Sequence, residues 1–410
     1  MNKGRALDGV KVVELATFIA APACARFLAD QGADVIKVES LSGDGTRHAP
    51  MAEGRPELGM AENVTFELEN GNKRAIAMNL KDPKCFEAFM KLVSEADVFI
   101  TNWRPKALER MGLDYETLKK KFPKLIYGSI TGYGEKGPDK DLPGYDYTAF
   151  WARSGMLGSL YEKGTEPMNL VPSIGDHQVG MCLAAGICAA LYQAQRTGKG
   201  EKISVSLLGT AIFMQGTMIQ TAQYDMLSYP ISKRESPNPL NCCYETRDGR
   251  FIQMCMPVYD LQFPDFAKAL DMECWLSDPR FDTMEHLLDG DNRPLLYDAI
   301  CERFKELDAK DICERLTKAD IPHAIAQVWK EVLEDEQAWA DDCFAEDEFV
   351  TGKRILVRNP VHFEEAGLPE LNKAPYLGEH TDDVLMELGY SRSEIDELLE
   401  AGKIVINKKP

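Results

Sequence analysis

The sequence predicts an α/β fold built around an open, doubly wound parallel sheet. Its first two hundred residues alternate short apolar runs of strand length with helical stretches, which is the pattern of such folds. The first of these units places a strand, a helix and a second strand within about thirty residues, which predicts a right-handed parallel crossover. A chain of 410 residues is also long enough for two domains, and the pattern changes near residue 226.

The opening unit has residues 10–15 as its first strand, a helix that Pro22 opens and Gly32 ends, and residues 33–39 as its second strand. The turn after the first strand, residues 16–22, contains no glycine. Dinucleotide-binding turns need glycines so that the backbone can approach the pyrophosphate. The sequence therefore disfavours an NAD site while keeping the sheet architecture.

Three further strands are predicted after residues 41–72, a polar and irregular stretch that reads as a long surface excursion. They are residues 75–78, 97–101 and 125–130, with helices between them, and a glycine-broken loop at residues 131–138 follows the last one. Ligands of doubly wound sheets bind at the carboxyl ends of the strands. The loops that leave these strands are therefore candidate ligand loops.

A cluster of basic side chains lies near these strand ends in an otherwise acidic protein. Lysine and arginine are usually exposed surface charges, whereas arginine forks also grip phosphate oxygens bidentately. The sequence leaves both interpretations open, a solvated surface or a phosphate site. The cluster consists of Lys73, Arg74, Lys81, Arg104, Lys106 and Arg110.

The stretch 172–181 and the helix that follows it are the centre of the chain's organisation. Gly175 supplies a turn, Asp176 occupies an N-cap position, and apolar residues at three- and four-residue steps predict a helix to about Arg196. A strand at residues 202–207 comes next. Near a helix N-terminus the Asp176 carboxylate is expected to stay ionised at neutral pH. It is either an ordinary cap, which this stretch alone favours, or an exposed nucleophile.

Other catalytic and metal-binding patterns find little support. His177 follows Asp176, but consecutive helical residues point about 100° apart, so we expect a surface or packing residue rather than an acid–base pair. The sequence contains no G-x-S-x-G elbow, no H-E-x-x-H motif and no Walker A loop, and its six histidines are scattered. We therefore predict neither a hydrolase triad nor a metal site.

The second half of the chain changes character. A proline-rich break near residues 229–239 separates an apolar helix from a hairpin with Asp248 and Gly249 at its turn. This change predicts a smaller α+β domain over residues 226–331. The remaining predicted segments are the apolar helix at 208–224, the hairpin at 244–254, a strand at 321–326, an irregular stretch at 335–375 with a strand-like 353–357, and short helices at 382–388 and 393–399.

Composition excludes several classes of partner. The net charge of −19 and a pI near 4.9 disfavour nucleic acid and anionic membranes as partners. The N-terminus lacks the apolar region of a signal peptide, and no apolar run approaches the length of a membrane span. Eleven cysteines without any C-x-x-C pair fit reduced core residues, so a cytoplasmic location is expected.

Eight motifs, in order along nearly the whole chain, resemble those of the family III CoA-transferases. Three further stretches, residues 135–150, 160–165 and 334–339, are most similar to the clostridial 2-hydroxyacid CoA-transferases of that family, which include enzymes for phenyllactate and for 2-hydroxyisocaproate. The eight motifs are residues 7–15, 32–39, 72–74, 102–105, 143–146, 175–176, 197–200 and 377–381.

The resemblance implies a domain organisation and an assembly. A large Rossmann-like CoA-binding domain would combine residues 1–225 with residues 332–410, and residues 226–331 would form the smaller central domain. Ring-shaped monomers would interlock as a homodimer. CoA enters as a thioester substrate, so no tightly bound cofactor is expected.

The resemblance also implies roles for individual residues. Asp176 matches the family's nucleophilic aspartate, and Tyr145 and Asp146 would lie beside the reacting acyl group. Two departures matter: Ser40 stands where the family often has an arginine against the CoA adenine, and a glycine-run loop of the formyl-CoA enzymes is missing. The implied CoA contacts fall on Phe18, Ile19, Ala20, Met78, Lys81, Asn102, Trp103, Arg104 and Arg110.

The implied reaction moves CoA from an acyl-CoA, such as an enoyl- or cinnamoyl-CoA, to an (R)-2-hydroxycarboxylate through aspartyl anhydride and aspartyl-CoA thioester intermediates, as part of anaerobic amino-acid fermentation. One alternative is an α-methylacyl-CoA racemase of the same fold. Its histidine falls at the position of Tyr145, and a phenol is a poor base at pH 7. The other alternative is a non-catalytic CoA-binding protein with Asp176 as a mere cap.

Overall fold

The computed structural model describes residues 4–48, 62–224, 229–350 and 352–407. The chain divides into two compact units. The larger unit comprises Met1–Met156, Asn169–Gln220 and Gln337–Pro410, and the smaller one comprises Leu157–Met168 and Thr221–Glu336.

Strands occur in both units and number twelve within the described ranges. They are β1 Lys11–Leu15, β2 Asp34–Glu39, β3 Arg74–Met78, β4 Val98–Thr101, β5 Ile126–Thr131, β6 Lys202–Ser206, β7 Cys243–Glu245, β8 Phe251–Met254, β9 His323–Ile325, β10 Phe344–Phe349, β11 Gly352–Val357 and β12 Ile404–Val405.

The described α-helices follow the alternation that the sequence predicts. They are α1 Ala20–Asp30, α2 Val64–Asn70, α3 Pro83–Ser94, α4 Pro105–Met111, α5 Tyr115–Lys121, α6 Met156–Ser159, α7 Ile174–Thr197, α8 Leu207–Met214, α9 Gly216–Thr221, α10 Tyr259–Ala269, α11 Met284–Leu287, α12 Asn292–Phe304, α13 Ala309–Lys318, α14 Trp329–Val332, α15 Glu336–Ala340, α16 Thr381–Glu387 and α17 Arg392–Glu400.

A seven-stranded sheet organises the larger unit. Its order is β12-β3-β2-β1-β4-β5-β6, and every neighbouring pair is parallel except β12 with β3. The strand order reverses at β1, as in doubly wound sheets, and the carboxyl ends of β1 and β4 meet at the switch point. The predicted α/β class with a mainly parallel sheet is confirmed.

Helices cover both faces of this sheet. On one face α1 packs against α7, and buried side chains such as Leu28 and Leu183 contact the strands. On the other face α3, α16 and α17 contribute buried side chains such as Phe89, Leu385 and Ile395. Burial of apolar surface on both faces explains why the strands read as continuous apolar runs.

Helix α7 is the one described helix that is long and apolar enough to cross a membrane, by length and composition alone. The expectation that no apolar run approaches that length was therefore wrong. Its isoleucines, leucines, valine, cysteines and alanines supply the apolar character, and core helices of globular proteins pass the same test. Val179, Leu183 and Ile187 of this helix are buried in the core of the larger unit.

The smaller unit contains an antiparallel sheet of order β7-β8-β9. Its core includes Phe263 and Phe266 from α10 and Phe304 from α12. The predicted hairpin at 244–254 and the predicted strand at 321–326 are confirmed as β7–β8 and β9.

The expectation of a surface excursion at residues 41–72 was wrong where the structure describes it. Residues 49–61 lie outside the described residues, but α2 forms a helix in which Phe66 and Asn70 are buried. Its polar residues are buried because they find distant partners: Glu67 accepts a hydrogen bond from the Ala374 amide at 2.7 Å. Such pairing cannot be read from local polarity.

Two further segments differ from the sequence-based expectation. The single helix expected at 208–224 is divided into α8 and α9 at Gln215, whose side-chain amide donates to the Ser154 carbonyl at 2.9 Å. The stretch at 335–375, expected to be irregular, contains the antiparallel hairpin β10–β11. The strand-like residues 353–357 form part of β11.

Candidate active site

A cavity of about 310 Å³ opens in the larger unit at the carboxyl ends of β1, β4 and β5. The loops that leave these strands form its walls together with the first turn of α7. The structure thus brings together most of the predicted site residues. Those that line the cavity are Phe18, Ile19, Ala20, Asn102, Trp103, Arg104, Tyr145 and Asp176.

Asn102 ties the loop after β4 to the loop after β1. Its side-chain oxygen accepts from the Thr17 amide at 3.1 Å, and its side-chain nitrogen donates to the Thr17 carbonyl at 2.7 Å. These two bonds occupy both ends of the amide. They fix the relative position of two cavity walls, a structural role that the sequence pattern did not reveal.

Phe18 extends from the first of these loops with its backbone in the left-handed region, at φ 64°. The Phe18 amide donates to the Asp44 carboxylate at 3.1 Å, which holds this uncommon conformation for a non-glycine residue. The Phe18 ring, 48% exposed, meets the Tyr145 ring edge to face with centroids 6.0 Å apart. Both rings therefore present apolar surface at the cavity.

A buried charge cluster of Glu14, Lys37, Asp44 and Lys73 underlies this loop. Lys37 Nζ lies 2.8 Å from Glu14 Oε1 and 3.0 Å from Asp44 Oδ2, and Lys73 Nζ lies 2.7 Å from Glu14 Oε2. All four side chains are buried. Burial lowers the pKa of Lys73 to about 8, even though Glu14 opposes this effect.

Two of the six basic residues do not belong to a phosphate site at the cavity. Lys73 is buried in the charge cluster, and Arg74 begins β3 at the opposite end of the strand, where it pairs with Asp34 at 2.6 Å and Glu387 at 2.7 Å. The sequence placed them with the others because Asn72-Lys-Arg adjoins a strand. In a parallel sheet, however, the amino ends of strands face the edge opposite the ligand loops.

Arg104 and Lys106 remain at the cavity, whereas the other predicted contacts lie elsewhere. Lys106 pairs with Asp141 at 2.9 Å. Arg110 is exposed on α4, and Lys81 is exposed beyond β3. Met78 is only 1% exposed and belongs to the sheet core. CoA contacts at these last three positions stay predictions.

Asp176 lies in the first turn of α7 but is not its N-cap. The helix begins at Ile174, and the preceding residue, Ser173, adopts the left-handed region at φ 86°. The predicted cap position was therefore wrong by three residues, because this strained turn starts the helix earlier than the Asp signal indicates. Asp176 is half-buried and lines the cavity.

Gly175 and Asp146 explain how the chain holds this turn. Asp146 is buried, and its Oδ1 accepts from the Gly175 amide at 2.9 Å. A Cβ at residue 175 would lie 2.2 Å from that oxygen and 2.3 Å from the Phe150 ring, so only glycine fits. Asp146 thus supports the start of the helix from behind and does not line the cavity, whereas Tyr145 does.

The electrostatics around Asp176 differ from those of an ordinary cap. Burial and the nearby Asp146 carboxyl raise the pKa of Asp176 to about 7. Burial likewise raises the pKa of Asp146. The expectation of full ionisation at neutral pH was therefore wrong, because desolvation outweighs the favourable helix N-terminus. At pH 7 this carboxyl is poised between its charged and neutral forms.

His177 is more than a surface residue. Its Nε2 lies 2.8 Å from Oε1 of Glu69, a carboxyl on α2 that is 2% exposed. The sequence missed this contact because the two residues are 108 positions apart. Among the residues that the structure describes, no three His, Cys, Asp or Glu side chains are grouped as metal ligands.

Comparison with known proteins assigns the family. The sequence model of CoA-transferase family III matches residues 7–381. The chain belongs to this family. It is 51% identical to cinnamoyl-CoA:phenyllactate CoA-transferase of Clostridium sporogenes over 412 residues, which covers 100% of this chain and 99% of that protein.

Two further relatives of this family III chain agree. (R)-2-hydroxy-4-methylpentanoate CoA-transferase of Clostridioides difficile is 44% identical, with 96% of this chain and 98% of that protein covered. The crystal structure of a CAIB/BAIF family protein from Brucella suis superposes with a TM-score of 0.81 at 29% identity, covering 94% of this chain and 100% of that one. The predicted family and the predicted enzyme class, a CoA-transferase, are confirmed.

Proposed function

We propose that this family III enzyme moves CoA from an acyl-CoA, such as an enoyl- or cinnamoyl-CoA, to an (R)-2-hydroxycarboxylate, with Asp176 as the nucleophile. The observation that carries the proposal is the Asp176 carboxyl in the wall of a cavity formed by the ligand loops of the sheet. Full-length similarity to enzymes named for phenyllactate and for 2-hydroxy-4-methylpentanoate supports the acceptor class.

The chemistry begins with the ionised form of Asp176. Its carboxylate attacks the donor thioester carbonyl, and the C–S bond breaks. CoA departs as the thiolate, and a mixed anhydride between Asp176 and the donor acyl group remains. The thiolate then attacks the Asp176 carbonyl carbon, which releases the donor carboxylate and forms an aspartyl-CoA thioester. The acceptor carboxylate attacks this thioester, which expels CoA thiolate and forms a second anhydride between Asp176 and the acceptor. The thiolate then attacks the acceptor carbonyl of that anhydride, which gives the acceptor acyl-CoA and regenerates the Asp176 carboxylate. Each step conserves the energy of the thioester.

The raised pKa of Asp176 serves this role. A more basic carboxylate is a stronger nucleophile, and a pKa of about 7 still leaves an appreciable ionised fraction near neutral pH. A more strongly perturbed carboxyl would be protonated and inert, whereas an ordinary aspartate would be a weaker nucleophile. The half-buried position of Asp176 also limits competing attack by water.

The proposed binding roles follow the resemblance residue by residue. The position of Phe18 and Arg104 in the cavity wall supports their roles: Arg104 would supply a positive charge, and the Phe18 and Tyr145 rings offer apolar surface in the cavity that Asp176 also lines. Tyr145 would lie by the acyl group, and Asp146, which does not line the cavity, would support the substrate site by holding Gly175. The aromatic rings accommodate either an aryl or a branched aliphatic acid.

We further propose that the enzyme is an interlocked homodimer of ring-shaped chains. Residues 1–225 and 332–410 would form the large domain, and residues 226–331 the small one. The enzyme would act in the cytoplasm, in anaerobic amino-acid fermentation. Exposed apolar side chains on α7–α9 support a partner chain: Phe213 of α8 is 79% exposed, and Met181 and Tyr192 of α7 and Met218 of α9 are also exposed. Sedimentation should give twice the chain mass. A monomer at micromolar concentration would refute the assembly.

Covalent trapping tests the mechanism. We expect that incubation with cinnamoyl-CoA, followed by hydroxylamine, converts Asp176 to its hydroxamate, since anhydrides and thioesters both react with hydroxylamine. Peptide mass spectrometry reads the modification, with enzyme lacking a donor as the control. Isocaproyl-CoA serves as a second donor. An unmodified Asp176 with both donors would contradict the proposed intermediates.

A racemase of the same fold gives a different result in that experiment. It would leave Asp176 unmodified and exchange the α-hydrogen of a 2-methylacyl-CoA with solvent deuterium. The cavity favours transfer, because Tyr145 occupies the wall position where the racemase histidine would stand. Deuterium incorporation without trapping would establish the alternative.

A further inference from the structure

The contact between His177 and Glu69 forms a titratable pair at the residue that follows the candidate nucleophile in α7. Glu69 is almost fully buried, and its Oε1 lies 2.8 Å from His177 Nε2. The His177 side chain is 38% exposed, and its own amide donates to the Ser173 carbonyl at 2.8 Å. The His177 backbone is thereby held in the turn that carries Asp176, and its ring is held by α2.

We propose that His177, held by Glu69, is a positioning residue that keeps an imidazolium beside Asp176 and thereby maintains Asp176 as a carboxylate near neutral pH. This inference rests on the proposed function, in which the carboxylate form attacks the thioester. The contact that supports the role of His177 joins two helices, α2 and α7.

The surroundings of His177 favour its charged form. An isolated buried carboxylate is costly, so Glu69 requires a positive partner. Burial alone would lower the pKa of His177, but the hydrogen bond and charge of Glu69, together with the charge of Asp176, raise it. Asp146 also lies within electrostatic reach of His177.

Lys73 lies within electrostatic reach of Glu69, and Arg26 contacts the adjacent residue Leu68, but both cations are engaged by other groups. Lys73 makes no hydrogen bond to Glu69, because its Nζ binds Glu14, the Pro22 carbonyl and Asn70. Arg26 of α1 donates to the Leu68 carbonyl and to Asp30. His177 is therefore the group in hydrogen-bond contact with Glu69 that can carry its compensating charge.

The effect on Asp176 has a defined sign. A positive charge beside a carboxylate favours ionisation, and the charge on His177 lowers the pKa of Asp176, whereas burial, Asp146 and Glu69 raise it. Among these charges the effect of His177 is larger than the opposing effect of its partner Glu69. Without His177 the acid form of Asp176 should persist to higher pH. A structural role for His177 would instead lower activity equally at every pH.

The pH profile of kcat/KM separates these roles. For His177→Gln we expect the acidic limb of the profile to move to higher pH by about one unit, which lowers kcat/KM about tenfold at pH values below the limb. On the alkaline plateau kcat/KM should stay within about threefold of wild type. The matched control is His286→Gln, which removes an exposed histidine 2.6 Å from Asp282 in the smaller unit and should leave the profile unchanged. An unshifted limb, or a uniform loss, would overturn the proposal.

A titration without turnover distinguishes failure of this inference from failure of the proposed function. Histidine NMR should show His177, assigned from His177→Gln, titrating above pH 6.5. We expect its midpoint to fall by about one unit in Glu69→Gln and by less in Asp176→Asn, since each change removes a negative neighbour. A midpoint that neither variant moves would refute the coupling. A coupled midpoint in an enzyme that transfers no CoA would refute only the proposed function.

Discussion

Asp176→Asn should lower CoA transfer by about 10⁴-fold or more, because the amide cannot form the anhydride and only binding and positioning remain. CoA affinity should change little, since the cavity walls from Phe18 to Ala20 and from Asn102 to Arg104 are unaltered. The rate is followed by chromatography of the acyl-CoA esters, and the affinity by calorimetry.

A matched control lies in the same cavity. Asp141→Asn removes an exposed carboxylate that pairs with Lys106 and should cost less than tenfold. Asp176→Asn activity within tenfold of wild type would exclude the covalent role. Loss of CoA affinity together with activity would indicate damage to the cavity instead.

The same Asp176 variant should be more stable than wild type at alkaline pH. The folded-state pKa of about 7 lies above the unfolded value of about 3.9, so the folded state disfavours the charged form. The loss of stability caused by ionising buried Asp176 is therefore absent below about pH 4 and complete above about pH 7. A full shift would amount to about 4 kcal/mol, and screening at a half-buried site reduces this to about 2 kcal/mol. Equal stability gains at pH 5 and pH 8 would contradict the raised pKa.

The sequence was informative where local pattern and topology decide the structure. The alternation of strands and helices predicted the parallel sheet, and the rule that ligands bind at strand carboxyl ends pointed to the loops of Phe18 and Asn102. The family resemblance added Asp176 and Tyr145. These side chains meet in one cavity because the first turn of α7 returns to the edge where β1 and β4 end.

The remainder depended on contacts between distant parts of the chain. Lys73 adjoins a strand and reads as surface charge, yet it is buried because Glu14, 59 positions earlier, neutralises it. The pKa of Asp176 likewise depends on Asp146, and the charge of His177 on Glu69. No local pattern encodes these distances, since each depends on how separate helices and strands pack. Electrostatics was consequently the least predictable property of the site.

The buried charge cluster should be the most stability-sensitive feature of the larger unit. Glu14→Gln is expected to lower the free energy of unfolding by about 3–5 kcal/mol at pH 7, because it removes a carboxylate that contacts both Lys37 and Lys73. Hydrogen exchange of peptides from β1, β2 and β3 against urea measures this locally. Glu95→Gln, which removes the exposed partner of Lys11, is the control and should change stability by less than about 0.5 kcal/mol.

The pH dependence of the Glu14→Gln effect identifies its cause. In wild type the pKa of Lys73 is already about 8, below its unfolded value of about 10.4, so the unfolded state binds the proton more tightly and stability rises with pH. Without Glu14 the folded-state pKa of Lys73 falls further. Both proteins hold Lys73 neutral by pH 9, so the deficit of the variant should shrink between pH 7 and pH 9. If the stability deficit stays constant with pH, its cause is lost packing and not the charge on Lys73. A deficit below about 1 kcal/mol at pH 7 would show that the cluster does not hold the loop of Phe18 through charge.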